Sequence, residues 1–564
     1  MENKYLIEYN KWLNNKSLDD KSKDLLLKMD EKEIEDAFYT NLSFGTAGMR
    51  GVIGLGTNRF NIYTLRKANY GYGKYLSSLK NDNIKIVIAR DNRFMGQEFV
   101  EECVKTLSTF NIKCYVFDEI TPTPVLSYAI RYLKADGGIV ITASHNPKEY
   151  NGYKIYDNTG CQLTPELANI VIDNVNRAPD YFDIQVNDIA YCKNNNYILK
   201  VNVDLIDSYI DDVKSIAINK NIDKSNFSLT ISPLHGTGGK ISCRLLDELG
   251  YKYVKVEEQF DNSHLFPTVK YPNPEDENAL LLSIEYAKKY NCDICLATDP
   301  DSDRVGIAVK GKDDNYKLLN GNQIGAIILD YLCKNKDVSN GYIIDTIVSS
   351  KLVREIAKKH NIHVITTYTG FKFIGKQISY LVDNNKKFLF AYEESYGYLL
   401  KDITRDKDAF QPLILLSEIA CFYKEKNKNL LEVLEDIYEE YGYYKEEVFS
   451  IPLSGINGKK QIDDLMDYLK YNDINNINDS RVNEKVDYSQ KDLIINEINL
   501  GKSNIIALNF RWGNYAIFRP SGTEPKFKVY LGAFCPENGY IDVVYTMLLN
   551  DVLSFVTTFN KQWY

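Results

Sequence analysis

The absences in this 564-residue chain narrow it first. No long basic block offsets a formal net charge of −9, and the isoelectric point is about 5.4. A nucleic-acid partner or an anionic membrane surface is therefore disfavoured, although a local basic pocket for phosphate remains compatible. The longest apolar stretches, such as Ile324–Leu332, fall far short of a membrane span. Met1-Glu2-Asn3-Lys4 lacks the charged-then-apolar pattern of a secretory signal. The ten cysteines are scattered, and the one C-x-x-C, Cys292–Cys295, has no second pair to complete a zinc site. Free thiols in a reducing, cytoplasmic setting are expected. There is no G-x-S-x-G elbow, and Ser144 and His145 are neighbours that point apart on an extended chain, so a hydrolase triad fits poorly.

What is present is ordinary in bulk, 44% hydrophobic and 26% charged, and long enough for roughly three to five domains. Residues 1 to about 41 read as amphipathic helix. Phe44-Gly45-Thr46-Ala47-Gly48-Met49-Arg50-Gly51 matches neither nucleotide-binding fingerprint. Its glycines suit either a connecting loop or a loop whose amides approach an anion beside Arg50. Helical spacing over Ile62–Leu79, a strand at Lys85–Ala89, a helix around Glu98–Thr109 and a strand at Lys113–Phe117 give β–α–β alternation and a parallel or mixed sheet.

One pattern then occurs three times: helix, short apolar strand, loop carrying acids or a hydroxyl. Helix Val125–Lys134 and strand Gly138–Ile141 precede Thr142-Ala143-Ser144-His145-Asn146-Pro147. Helix Leu280–Tyr290 and strand Asp293–Ala297 precede Thr298-Asp299-Pro300-Asp301-Ser302-Asp303-Arg304. Helix Lys372–Val382 and strand Phe388–Ala391 precede Tyr392-Glu393-Glu394-Ser395-Tyr396-Gly397. Loaded loops at the carboxyl ends of strands predict three related α/β domains that share a central cleft. Residues 473–504, rich in Asn, Asp, Lys and Ile, read as a partly disordered surface elaboration. Strands Tyr515–Phe518 and Phe527–Leu531 and a helix over Val543–Val556 then predict a smaller C-terminal α+β domain.

Asp299, Asp301 and Asp303 alternate along an extended loop and suit one hard cation, magnesium or calcium. An EF-hand fails, because Arg304 and Lys310 stand where its Gly and Glu belong. Magnesium takes few protein carboxylates plus a phosphate oxygen, so such a site asks for a phosphate. Arg519-Pro520-Ser521-Gly522-Thr523-Glu524-Pro525-Lys526 offers two cations, two hydroxyls and a glycine to an anion, or forms a plain hairpin turn. Glu393 and Ser395 suit sugar hydroxyls but would be unremarkable on any surface. The Ser144 hexapeptide taken alone is equally a turn.

T-A-S-H-N-P, D-P-D-S-D-R, E-E-S and R-P-S-G-T-E-P-K occur in the order seen in the α-D-phosphohexomutases, and the chain resembles that family from about Phe44 to its end. Phe44–Gly51 and Glu149–Lys154 look most like its phosphoglucomutase-2/phosphopentomutase branch. The resemblance implies four domains around the cleft, at residues 1–205, 206–317, 318–440 and 441–564, each giving one loop. Ser144 would match the phosphoserine, and Asp299, Asp301 and Asp303 the ligands of one magnesium ion together with it. Glu393 and Ser395 would read the sugar, while Arg519, Ser521, Gly522, Thr523 and Lys526 grip the non-reacting phosphate. Thr46, Arg50, His145, Lys154, Arg304, Thr369 and Lys407 fall on positions near the reacting groups, with Lys154 or His145 relaying a proton.

The implied activity interconverts glucose 1-phosphate and glucose 6-phosphate through a phosphoserine and glucose 1,6-bisphosphate, the latter also as activator. Ribose phosphates, bisphosphate synthesis and non-catalytic binding remain alternatives, and the oligomeric state is open. Tyr392 and Ala409 stand where the family has glycine.

Overall fold

The computed structural model describes residues 4–45, 48–80, 82–452, 455–520 and 526–561. Two compact units divide the chain. One is Met1–Leu318 with Tyr396–Glu418, and the other is Leu319–Ser395 with Ile419–Tyr564.

The first unit begins with three short helices, Lys4–Leu13, Asp20–Leu27 and Glu31–Phe38. One helix to residue 41 was expected; Asp19 and Asp30 interrupt it, each capping a new helix through its carboxylate, the second in a capping box with Glu33. Trp12 closes this piece, ringed by Phe38, Tyr63, Tyr181 and Phe182. A six-stranded mixed sheet follows, in the order Met49–Val52, Tyr150–Asp157, Gly137–Ile141, Lys85–Arg90, Lys113–Val116, Ile198–Lys200. Gly137–Ile141 runs parallel to Lys85–Arg90 and antiparallel to Tyr150–Asp157, and is buried throughout. That explains its continuous apolar run. Its carboxyl end delivers Ser144, and the register sets Lys154 opposite Val140 and Arg50 opposite Gly152. A Cβ at Gly152 would lie 2.4 Å from the Thr142 carbonyl oxygen, so only glycine lets these chains meet.

The unit's second sheet has five strands, in the order Tyr316–Leu318, Val305–Lys310, Ile294–Thr298, Ser228–Ser232, Lys252–Lys255. Ile294–Thr298 is again wholly buried and ends at the aspartate loop. Cys295 lies within it and Cys292 just before it, both free and buried.

In the second unit, His363–Thr367, Gly341–Thr346 and Lys387–Glu393 pair in parallel, the last ending at Glu393. An antiparallel sheet follows in the order Tyr443–Pro452, Lys526–Cys535, Tyr515–Pro520, Ile506–Phe510, Ser480–Asp487, Asn476–Ile477. Residues 473–504 are structured, not partly disordered as the composition predicts. Ser480–Asp487 is a strand of this sheet, and Ile494–Ile495 pairs with Ile498–Asn499 in a small hairpin. Leu500 and Ile505 are buried with Val348, Tyr368 and Phe373, and Leu493, Ile495 and Ile498 pack against them.

The helix Ile541–Lys561 also departs from expectation. Asn538–Thr557 is long and apolar enough to cross a membrane, with 22% of that window buried. Tyr545, Leu548, Val552 and Val556 nonetheless repeat on one face and pack into the core of the antiparallel sheet.

Candidate active site

Ser144 sits just past the buried strand, 3% exposed, with a left-handed φ of 52°. Its Oγ donates to Asp299 Oδ2 at 2.8 Å and lies 3.1 Å from His145 Nδ1, so these neighbours meet instead of pointing apart, the left-handed φ at Ser144 taking the chain out of the extended form. Asp299 is itself held by the turn it begins, since its Oδ1 accepts the backbone N–H groups of Asp303 and Arg304, each at 3.0 Å. The alternation read from the sequence does converge: one carboxylate oxygen from each of Asp299, Asp301 and Asp303 lies within 4.8 Å of the others, all three residues buried.

Three carboxylates this close repel strongly in a dry site. Lysines offset part of that charge. Lys154 Nζ donates to Asp301 Oδ2 at 2.7 Å and to Asp303 Oδ2 at 3.3 Å, and Lys407 Nζ donates to Asp303 Oδ2 at 2.9 Å. Thr123, unmarked in the sequence reading, donates its hydroxyl to Asp301 Oδ2 at 2.8 Å. Burial works against the Asp303 charge, but Lys407, Lys154 and Arg304 hold its carboxyl far below the usual range. Burial, with Asp303 and Asp301 alongside, pushes Asp299 well above it. Lys154 is raised: burial opposes its charge, but Asp301 and Asp303 outweigh that. His145 is depressed by burial and by the guanidiniums of Arg304 and Arg50, so its imidazole stays neutral.

The residues fit a divalent cation. Oδ1 of Asp301 and Oδ1 of Asp303 are buried and meet no hydrogen-bond donor among the described residues. An all-oxygen donor set with unused lone pairs suits magnesium. Arg50 Nη1 donates to Asn146 Oδ1 at 2.7 Å, which ties it to the serine loop. Arg304 is paired with Glu275. The first unit thus brings together Ser144, His145, Lys154, Arg50, Asp299, Asp301, Asp303, Arg304 and Lys407.

The second unit carries the remaining described candidates. Glu393 Oε1 accepts the Gly370 N–H at 2.6 Å, which fixes the turn beside Thr369, and Ser395 follows two residues on. Arg519 Nη1 donates to Tyr530 Oη at 3.2 Å. Tyr392, where the family has glycine, is buried; its ring stacks on Phe390 at 5.5 Å and lies against Gly325. Thr46, Ser521, Gly522 and Thr523 lie outside the described residues, and Lys526 opens the strand Lys526–Cys535.

With that geometry in view, the sequence patterns of the phosphoglucomutase/phosphomannomutase alpha/beta/alpha domains I, II and III match residues 41–181, 207–312 and 320–441. The chain belongs to the phosphoglucomutase/phosphomannomutase family. A family relative, the phosphoglucomutase of Staphylococcus aureus strain MRSA252, is 36% identical over 514 residues, covering 90% of this chain and 92% of that one. The phosphoglucomutase of the bovine strain RF122 is 37% identical over the same length. Two solved structures share the family's fold. A putative phosphomannomutase from Thermus thermophilus aligns with a TM-score of 0.67 at 21% identity, covering 90% of this chain and 99% of its own. The open form of Paramecium pp63/parafusin, a phosphoglucomutase, aligns at 0.68 and 17%, covering 93% and 96%.

Proposed function

We propose that the chain is a magnesium-dependent phosphoglucomutase that interconverts glucose 1-phosphate and glucose 6-phosphate. The observation that carries this reading is the Ser144 hydroxyl, 2.8 Å from Asp299 on a loop of three buried, converging carboxylates. A phosphoryl group on that oxygen adds negative charge beside three carboxylates, an arrangement suited to a divalent cation shared between them. Asp299, Asp301, Asp303 and the phosphoserine would hold one magnesium ion per chain, which when bound stabilises charge on the transferring phosphoryl oxygens.

The chain's own groups do the rest. Lys154 and Lys407, already on the carboxylates, and Arg50 and Arg304 beside His145 supply fixed positive charge around the phosphoryl group. As a sugar hydroxyl attacks, the Ser144 Oγ–P bond breaks and the sugar O–P bond forms. The hydroxyl proton is relayed to the leaving Ser144 oxygen, with neutral His145 the group that can accept it and Lys154, protonated on the carboxylates, the group that can donate. Glucose 1,6-bisphosphate results; it turns over and returns its other phosphate to Ser144, which also makes it the activator that primes the enzyme. Glu393, Ser395 and Thr369 read the sugar, and Arg519 with Ser521, Gly522, Thr523 and Lys526 holds the phosphate that is not reacting, alongside a contribution from Thr46. Four domains, at 1–205, 206–317, 318–440 and 441–564, each provide one of these loops, and the enzyme works in the cytoplasm.

Phosphorus NMR of the protein with magnesium, a trace of glucose 1,6-bisphosphate, and glucose, mannose or ribose 1-phosphate in parallel tests this. Wild type converts the glucose ester and Ser144→Ala converts none. Faster conversion of ribose 1-phosphate reassigns the sugar; equal conversion by Ser144→Ala removes the phosphoserine.

A further inference from the structure

Ser144 holds a left-handed φ that a residue with a side chain adopts at a cost of about 1 kcal/mol or more. Something must hold it there, and one side chain stands out. Arg93 lies just beyond the strand Lys85–Arg90, which neighbours the serine strand, and is 3% exposed. Its Nη2 donates to the carbonyl oxygens of Ser144 at 2.6 Å and Asn146 at 2.5 Å. Its Nη1 donates to those of Pro147 at 2.7 Å and Tyr150 at 2.9 Å. One guanidinium therefore gathers four carbonyls of one loop.

A second path reaches the same serine from its other side. The Ser144 N–H donates to Thr142 Oγ1 at 2.8 Å, and Thr142 Oγ1 donates to Asp91 Oδ2 at 2.6 Å. Asp91 Oδ2 lies 3.2 Å from Arg93 Nε, and Asp91 Oδ1 accepts the Arg93 N–H at 3.0 Å. Asp91 and Thr142 are buried as well, and the guanidinium sits 5.2 Å from the Phe266 ring centre. The serine's N–H and C=O are thus tied into one closed network.

Building on the mutase reading, we propose that Arg93, braced by Asp91 and Thr142, is a positioning residue for phosphoryl transfer: it holds the loop so that Ser144 Oγ meets the aspartate cluster. Arg93 touches no reacting atom. Its planar fork suits carbonyls spread around it, whereas a lysine's compact ammonium on a flexible stem cannot span all four. Loss of a buried ion pair that merely stabilised the fold would cost folded protein and leave each folded molecule equally active. A misplaced nucleophile instead lowers kcat while ground-state binding, and so KM, stays.

The test compares full-length wild type, Arg93→Lys and Thr142→Val with magnesium, following phosphoryl incorporation from labelled glucose 1,6-bisphosphate and steady-state turnover of glucose 1-phosphate. Thr142→Val nearly conserves volume and carries the test if Arg93→Lys does not fold. Arg93→Lys is expected to lose about 100-fold in kcat and Thr142→Val about tenfold, each per folded molecule, with KM within about threefold. Millimolar guanidinium is expected to restore part of kcat to Arg93→Ala and none to Ser144→Ala. Unchanged kcat in the folded variants, or kcat falling only as folded protein is lost, overturns the positioning role alone. A wild type that accepts no phosphoryl group overturns the mutase reading and this proposal together.

Discussion

Glu394 stands between the two residues read as sugar contacts, and its chemistry differs from theirs. Burial, and then the neighbouring Glu393, pushes its carboxyl up to about 7 against the pull of Lys528 and Arg519. A carboxyl raised in the fold above its ordinary value near 4.5 favours folding in its protonated form. The fold loses stability as pH climbs from the unfolded value through about 7. Glu394→Gln keeps the shape and removes the charge. Urea unfolding should find it more stable than wild type at pH 8 by about 1–3 kcal/mol, and equal to it near pH 4. Lys154 poses the opposite case, a cation between two buried carboxylates. Lys154→Met should lose about 3–5 kcal/mol in chelator, because the carboxylates are left unpaired. Saturating magnesium should return much of that loss, measured by the same unfolding curves. At this scale the chemistry-bearing residues were legible because each motif is local: the aspartates alternate within five positions, and Ser144 follows an apolar strand. Arg93 and Thr123 were not, because their partners are set by folding; Thr123 and Asp301 lie 178 residues apart.

Among the elements, the β–α–β alternation and the strands that end at loaded loops were readable from apolar runs bounded by polar turns. The segment 473–504 was not, since its isoleucines are scattered among Asn, Asp and Lys without a sustained period. Ile477 enters the core of the antiparallel sheet, Ile495 and Ile498 pack against the cluster of Val348 and Tyr368, and Ile494 is exposed. Its hairpin is held by more than apolar contact. Gln377, fully buried on the helix Phe371–Asp383, donates to the Ile495 carbonyl at 3.2 Å and accepts from Asn496 Nδ2 at 2.8 Å. Tyr368 Oη, on the approach to Thr369, donates to the Gly501 carbonyl at 3.2 Å. The hairpin thus packs against the segment that carries a sugar-loop candidate. Gln377→Leu strands both polar groups of the hairpin and should cost about 1–3 kcal/mol. Limited proteolysis should then cut within 493–501 well before the strand Ile506–Phe510 is touched. Equal resistance to wild type would mean that the apolar contacts alone hold it.

For the whole molecule the consequence of two compact units is that a ligand of one need not steady the other. The candidate magnesium ligands Ser144, Asp299, Asp301 and Asp303 all belong to the first unit, as do the lysines that now offset them. A ligand that binds only the folded form stabilises by RT ln(1 + [L]/Kd), about 2.7 kcal/mol at a hundredfold excess over Kd. That energy enters where the metal binds. Locally opening segments around the aspartates should therefore exchange their amide hydrogens more slowly by up to about 100-fold, the same energy expressed as a rate. Hydrogen exchange read by mass spectrometry, with magnesium and with chelator, separates the units. Peptides spanning 142–157 and 294–310 should slow on adding the metal. Peptides from Gly341–Thr346 and Ile506–Phe510 should stay within about twofold, since no candidate ligand lies in the second unit. Slowing spread evenly over both units would place the stabilising ion elsewhere, and no slowing at 294–310 would remove the metal from the aspartate loop. The sequence pattern predicted the cluster but not this partition, which depends on where the chain's two excursions, Tyr396–Glu418 and Leu319–Ser395, pack in three dimensions.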